Sequence, residues 1–460
     1  MTDCARAGAL TLTKSPIATT ALTCLAVGSL LAILGLRLYA AFATTAIRTP
    51  WDDDHMRSAA VDIAREQTDA TAASHILLPW KPPVFEGRLF GYSAWLVAAL
   101  KVRHALGVHD RELAFQLINS LILLLQAVVV FLFARWATRD FAIAATFAFL
   151  HVSAPIVFGT SRWVHTENLV LLAGPTLSFL SAWLLGTAGR SGAGRLWRAG
   201  LAAYGMALCC SAREYAAPTF LVLVAATSFG LLVAKRWREA VAAVLVMTAF
   251  IIPWYPSLLE ALKATFAKGG VSAYFHPFTE WIPHVAFYSV GPSLTLVLAV
   301  LLALTAYQGW RHVNRRLGAP GTSLVRVLGN QLSGLQIAAW AHWFLMGLYV
   351  AGIVWTQNRV TRPAIMPMMV GLGIVLIGFR AHPARRRWLA DARIKWTAVA
   401  SISISWCVLL FQLLVAFDGG KTYAHAGFRL EYFNYPLHLR KLQGPDDNWI
   451  CGDVCPYDRR

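Results

Sequence analysis

Long apolar runs recur along this chain, and they decide what it can fold into. The first extends from about Ile17 to Ala46, and an α-helix needs only roughly 20 residues to cross the hydrocarbon core of a bilayer. Runs with polar boundaries predict spans near 18–44, 112–134, 140–158, 167–187, 197–211, 215–234, 239–256, 288–308, 336–355, 363–380 and 395–417. Hydrophobic residues make up 57% of the chain and charged residues only 14%, against about 25% charged in a soluble domain. This is the pattern of an all-α polytopic integral membrane protein. A transmembrane β-barrel would show short alternating segments instead. The opening "MTDCARAGALTLTKSP" carries Arg6 and Lys14. The apolar stretch behind it is too long for a signal-peptide h-region, so it is expected to remain as a first span entered from the cytoplasm.

The segment "LFGYSAWLVAALKVRHALG", residues 89–107, poses the topological question. Lys101, Arg103 and His104 interrupt its C-terminal half, which suits an amphipathic helix lying on the membrane surface. Eleven crossings then remain, with the N-terminus cytoplasmic and the C-terminus extracytoplasmic. The inner loops become "ARWATRD", "GRSGAGRLWR", "AKRWRE", "GWRHVNRRLG" and "RAHPARRRWLADARIK". All the strongly basic loops fall inside, as membrane insertion favours; counting 89–107 as a span would turn most of them outward. The net charge of +18 is thereby explained, and no nucleic-acid-binding motif accompanies it. No internal repeat divides the chain. One integral domain is expected over 1–417, with a first outer loop at 45–111 and a short extracytoplasmic tail at 418–460. The abundance of Ala, Arg and Trp points to a bacterial inner membrane.

The outer surface then collects the candidate chemistry. It holds "TPWDDDHMRSA", with Asp52, Asp53 and Asp54, and "PWKPPVFEG", with Lys81. It also holds Arg162 and Glu167 in "GTSRWVHTEN", Arg213 in "SAREY", and Arg359 and Arg362 in "TQNRVTRP". Arginine binds phosphate through several planar donors, and a carboxylate can take the proton of an attacking hydroxyl. Three adjacent aspartates raise one another's pKa, which suits a general base. If two of Asp52, Asp53 and Asp54 share a hard cation, they form a metal site; no other cofactor is indicated. Blander roles stay open for each residue. The aspartates could cap the next helix, and Glu167 could be a helix-start acid. Lys81 could be an interfacial lysine, and Arg213 and Arg362 could snorkel to headgroups. His55 and His165 lie near the acids without zinc-site spacing. The loop 257–287, with Tyr274, His276 and Trp281, reads as an aromatic belt or as a lid. Cys451 and Cys455 could pair outside the cell or remain thiols.

In their order and sidedness these parts resemble the GT-C membrane glycosyltransferases. The likeness is greatest to the protein O-mannosyltransferases and the bacterial aminoarabinose-lipid A transferases. "WDDDHMRSAAVDIARE" is similar to the acidic pair that opens the family's first outer loop. "KPPVFEGRLFGYSAWLVAALKVRHALGV" is similar to its His-Pro-Pro motif before a surface helix. "RWVHTENLVLLAG" supplies its outer acid, "LAAYGMALCCSAREY" its basic residue after a span, and "TRPAIMPMMVGLG" its Arg before a Pro-containing span. Together these cover roughly residues 17–380. The departures are Asp-Asp-Asp for Asp-Glu, and Lys81 where His is usual.

The resemblance implies sugar transfer from a polyprenyl-phosphate donor to a protein, lipid or glycan acceptor at the outer face, by one inverting displacement. Asp53 would be the base, with Asp52 or Asp54 as orienting partner or metal ligand. Glu167 would complete the acidic pocket or position the acceptor. Lys81, Arg213 and Arg362 would hold the departing lipid phosphate, with Arg162 and Arg359 as second choices. A flippase or transporter of lipid-linked or anionic solutes is the alternative, but such proteins tend to show internal symmetry and paired broken helices. A polysaccharide polymerase or ligase using the same donor class is a third reading.

Overall fold

The computed structural model describes residues 16–43, 60, 61, 64, 91–107, 111–161, 164, 166–186, 192–213, 216–252, 333–350, 362–381, 389 and 392–417, with isolated positions at 256, 259, 260, 263, 299, 302, 303 and 307. The helices among them are α1 (Pro16–Ala43), α2 (Gly91–Ala105), α3 (Arg111–Thr138), α4 (Phe141–Val152), α5 (Pro155–Thr160) and α6 (Glu167–Gly186). They continue with α7 (Gly192–Cys210), α8 (Ala217–Val233), α9 (Trp237–Ile251), α10 (Gly334–Val350), α11 (Arg362–Ala381) and α12 (Ala392–Phe417). There is no strand among the described residues. The all-α polytopic expectation holds. The expected span 288–308 lies outside the described residues apart from isolated positions.

Within α1, α3 and α6 the segments Thr19–Phe42, Leu113–Thr138 and Glu167–Gly186 are long and apolar enough to cross a membrane. Their neighbours α4, α8, α11 and α12 contain shorter apolar stretches. Many large apolar side chains face outward, among them Leu31, Tyr39, Phe42, Phe229, Leu245 and Phe344. In water such a surface would be a liability; in a bilayer it is the lipid-facing side of the bundle.

Packing joins chain neighbours and distant helices alike. α4 lies against α1 and α3, α9 against α7, and α11 against α10, α6 and α3. Small residues allow the closest approaches. A Cβ on Gly373 of α11 would come within 2.5 Å of the His342 Nε2 of α10 and 3.2 Å of the Ser178 Oγ of α6. That glycine makes room for the 2.9 Å hydrogen bond between Ser178 and His342, which ties α6 to α10 beside α11.

The contacts sort the helix ends into two sets. At one end Lys395 of α12 bonds Thr19 of α1. There too, Arg236 donates to the Leu184 carbonyl of α6 at 2.8 Å, and Arg380 of α11 lies 5.1 Å over the ring of Trp136 on α3. Two tight turns at this end use left-handed backbone at Arg139 (φ 62°) and Lys235 (φ 58°). After the first, Asp140 caps α4 by accepting from the Ile143 N–H at 3.1 Å. These are the basic connections that the charge rule assigns to the inside. The opposite end holds the C-terminus of α1, the N-termini of α3 and α6, and the C-terminus of α7, joined by contacts described below. Helices α3 to α9 alternate in direction between these two ends, α4 and α5 together making one pass.

Two boundaries differ from the expectation. The stretch 140–158 is two helices, α4 and α5, rather than one continuous span. Pro155 lacks an N–H and cannot continue the ladder, so the chain breaks at Ser153–Ala154 and restarts with Pro155 in the first turn. Helix α7 begins at Gly192, inside the glycine-rich connection, and Arg198 Nε closes back on the Gly194 carbonyl at 2.8 Å.

Gly373→Ala is expected to destabilise the bundle by about 1–3 kcal/mol through overpacking, seen as a lower thermal unfolding midpoint in detergent. Gly347→Ala in α10, where a Cβ meets nothing within 4 Å, should leave that midpoint unchanged or raise it.

Candidate functional site

Thr166 starts the site. Its carbonyl accepts the first amides of α6, from Leu169 at 3.1 Å and Val170 at 3.3 Å, so it occupies the N-cap position. Glu167 follows as the first residue of α6, where the helix dipole favours a negative charge. The helix-start role read from the sequence is therefore filled.

Arg213 arrives from the other side. After Cys210 the chain tightens, with Ser211 N–H donating to Leu208 O and Ala212 N–H to Cys209 O, each at 3.1 Å. The Arg213 carbonyl then accepts from Ala216 (3.2 Å) and Ala217 (3.1 Å), which opens α8. Arg213 is thus fixed by its backbone in the hinge between two apolar helices.

The two side chains meet. Arg213 Nη1 lies 2.7 Å from Glu167 Oε1, and the side chains are 1% and 2% exposed. The same Nη1 donates to Thr166 Oγ1, and Thr166 Oγ1 donates to Glu167 Oε2 at 3.2 Å. Arg213 therefore does not snorkel outward; it is held inside the protein by charge-assisted bonds. Two ions taken out of water need good mutual geometry to offset their lost hydration, and either one left alone is strongly destabilising.

Helix α2 closes over this pair. The Cα of Gly91, first residue of α2, approaches the 211–213 hinge so nearly that a Cβ would stand 2.5 Å from the Ser211 carbonyl and 3.2 Å from Leu169 Cδ2. Tyr92 is buried and donates its hydroxyl to Asn119 Oδ1 on α3 at 2.7 Å. Beneath the site Gln126 donates to the Asn168 carbonyl at 3.2 Å and contacts His151 Nε2 at 3.3 Å.

Of the residues singled out in the sequence, the structure brings Glu167 and Arg213 together. Arg362 is the first residue of α11. Asp52, Asp53, Asp54, Lys81, Arg162 and Arg359 lie outside the described residues, as do His55, His165, Tyr274, His276, Trp281, Cys451 and Cys455. Among the described residues no group of three or more His, Cys, Asp or Glu could hold a metal ion. The sequence reading passed over Arg37, a buried charge in α1 at this same end of the bundle. A charge inside an apolar span was the available signal. Gln116, Asn119 and Tyr92 were missed as well.

Neither a protein-family model nor a curated protein matches the chain. Among solved structures there is a likeness to ArnT. The crystal structure of ArnT from Cupriavidus metallidurans, bound to undecaprenyl phosphate, matches at 17% identity and a TM-score of 0.47. The match covers 85% of this chain and 65% of the length of that ArnT chain.

Replacing Glu167 by Gln should remove the ionic half of its pair with Arg213 and cost about 3–5 kcal/mol. Adding Arg213→Met to Glu167→Gln should recover much of that loss. Thermal unfolding of the two single variants and the double variant checks the coupling, and additive losses would contradict it.

Proposed function

We propose that this chain transfers a sugar from a polyprenyl-phosphate donor to an acceptor at the outer face of a membrane, as a GT-C-type glycosyltransferase. The observation that carries the reading is the buried 2.7 Å pair of Glu167 and Arg213. These residues stand in two separate motifs of the sequence and meet where membrane helices end, beneath a surface helix. An acid and an arginine held at a helix-end boundary suit a donor whose tail lies in the bilayer and whose phosphate and sugar lie at its surface.

In the proposed reaction the acceptor hydroxyl oxygen forms a bond to the anomeric carbon, while the bond from that carbon to the phosphate oxygen breaks. The bonding pair leaves with the polyprenyl phosphate, and the hydroxyl proton passes to Asp53. Asp52 or Asp54 orients this base or shares a divalent metal ion with it. Arg213, oriented by Glu167, acts with Lys81 and Arg362 on the phosphate as its negative charge grows; Arg162 and Arg359 are the further cations of that surface. Donors already aimed at a developing charge stabilise the transition state more than the ground state. The proposal extends to a bacterial inner membrane, with the N-terminus cytoplasmic and the C-terminus extracytoplasmic. The acceptor class is a protein, a lipid or a glycan.

The test is turnover in nanodiscs with radiolabelled polyprenyl-phosphate sugars, supplied one at a time and read as released polyprenyl phosphate. One donor should respond, and Asp53→Asn should lower its rate by about 10²–10⁴-fold. Arg362→Ala should lower it as well. No release with any donor, together with transbilayer movement of an intact lipid-linked sugar, would replace this reading with a flippase.

A further inference from the structure

Arg37 is among the most deeply buried side chains of the protein, at 1% exposure. It sits in the last third of α1, flanked by buried Ile33, Ala40 and Ala41. Burying a guanidinium in such company is costly unless its donors are used. Its partners are specific. Nε donates to Ser161 Oγ at 3.0 Å and Nη2 to the Ser161 carbonyl at 2.6 Å. Nη2 also donates to Gln116 Oε1 at 2.8 Å and to the Gln116 carbonyl at 3.2 Å. One planar fork thereby joins α1 to the end of α5 and to the first turns of α3.

Both arms lead to the Glu167–Arg213 pair. Ser161 is the C-cap of α5, and the chain leaving it passes buried Val164 to reach Thr166 and Glu167. Gln116 lies one helical turn before Asn119, which accepts from Tyr92. Tyr92 adjoins Gly91, pressed against the Ser211 carbonyl two residues before Arg213. Contacts thus link Arg37 of α1 to Ser161 and to α3, α3 to α2, α2 to the 211 hinge, and Arg213 to Thr166 and Glu167.

We infer that Arg37 is a positioning residue for the proposed transfer site: it fixes Ser161, shortly before Thr166 in the chain, and the footing of α2 so that Glu167 and Arg213 meet. The inference rests on the glycosyltransferase reading for its consequence in turnover, but not for its geometry. Arginine suits the task because it presents several donors in one rigid plane, whereas a lysine offers a single ammonium on a flexible stem.

The test uses the full chain in nanodiscs and the variants Arg37→Gln, Arg37→Lys and Ser161→Ala. Two readouts are taken: kcat and KM for the responding polyprenyl-phosphate sugar, and amide hydrogen exchange. Misplacing reacting groups by about 1 Å can cost up to roughly 10²-fold in rate, so Arg37→Gln should lower kcat by about ten- to a hundredfold with KM changed less than about threefold. Arg37→Lys should restore part of kcat. Ser161→Ala, which removes only one acceptor, should act in the same direction more weakly and remains informative if Arg37→Gln fails to fold. Exchange should quicken by about tenfold or more in residues 164–170 while α8 stays protected. Unchanged kcat and unchanged exchange in folded Arg37→Gln would overturn the inference, and so would exchange that rises equally throughout the bundle. If wild type turns over no donor, the proposed function fails, and the exchange pattern alone still decides the role of Arg37.

Discussion

A carboxylate and a guanidinium 2.7 Å apart, both almost wholly withdrawn from solvent, set the terms for the surrounding structure. Removing one partner of such a buried pair is strongly destabilising. Their meeting requires the start of α6 and the hinge after α7 to be held in register, although 46 residues separate them in sequence. The N-cap at Thr166 and the tight turn at 211–213 supply that register locally. The packing of α6 against α7 supplies it over the longer range. Helix α2 then has a defined floor, since Gly91 can approach the Ser211 carbonyl only because it has no side chain.

The two ends of the bundle are built on different principles. One end gathers basic side chains into short turns and half-buried caps, such as Arg236 bonded to Glu239 Oε1 at 2.9 Å and to the Leu184 carbonyl at 2.8 Å. Those contacts finish helices. The other end buries its polar groups in one another: Arg37, Gln116, Asn119, Tyr92, Ser161, Glu167 and Arg213 are all under 9% exposed. Buried polar groups bonded to one another favour one geometry, whereas solvated ones tolerate many. Preorganised donors are what a group-transfer site at a membrane surface requires.

Much of the fold was legible because a bilayer imposes length. Runs of apolar residues marked most of the helices to within a few positions, and the helix expected within 89–107 runs from Gly91 to Ala105. The break at Pro155 was visible as a residue but masked by apolar residues on both sides of it. The site was legible only in part. Glu167 and Arg213 stood out as ions at helix ends, yet their pairing depends on which helices are neighbours, and hydropathy says nothing about that. Arg37 was obscured by the strength of the apolar run around it. Its partners Ser161 and Gln116 lie 124 and 79 residues away, too far for any local pattern to connect them.

The central claim is that the polar, interlocked end of the bundle receives a lipid phosphate. Its most direct test is an experimental structure of the protein in nanodiscs with bound polyprenyl phosphate. The account expects the phosphate at the end that holds Arg213 and the start of α11, with the isoprenoid tail running along the apolar helices. A phosphate found instead among Arg236, Arg380 and Lys395 at the opposite end would contradict it.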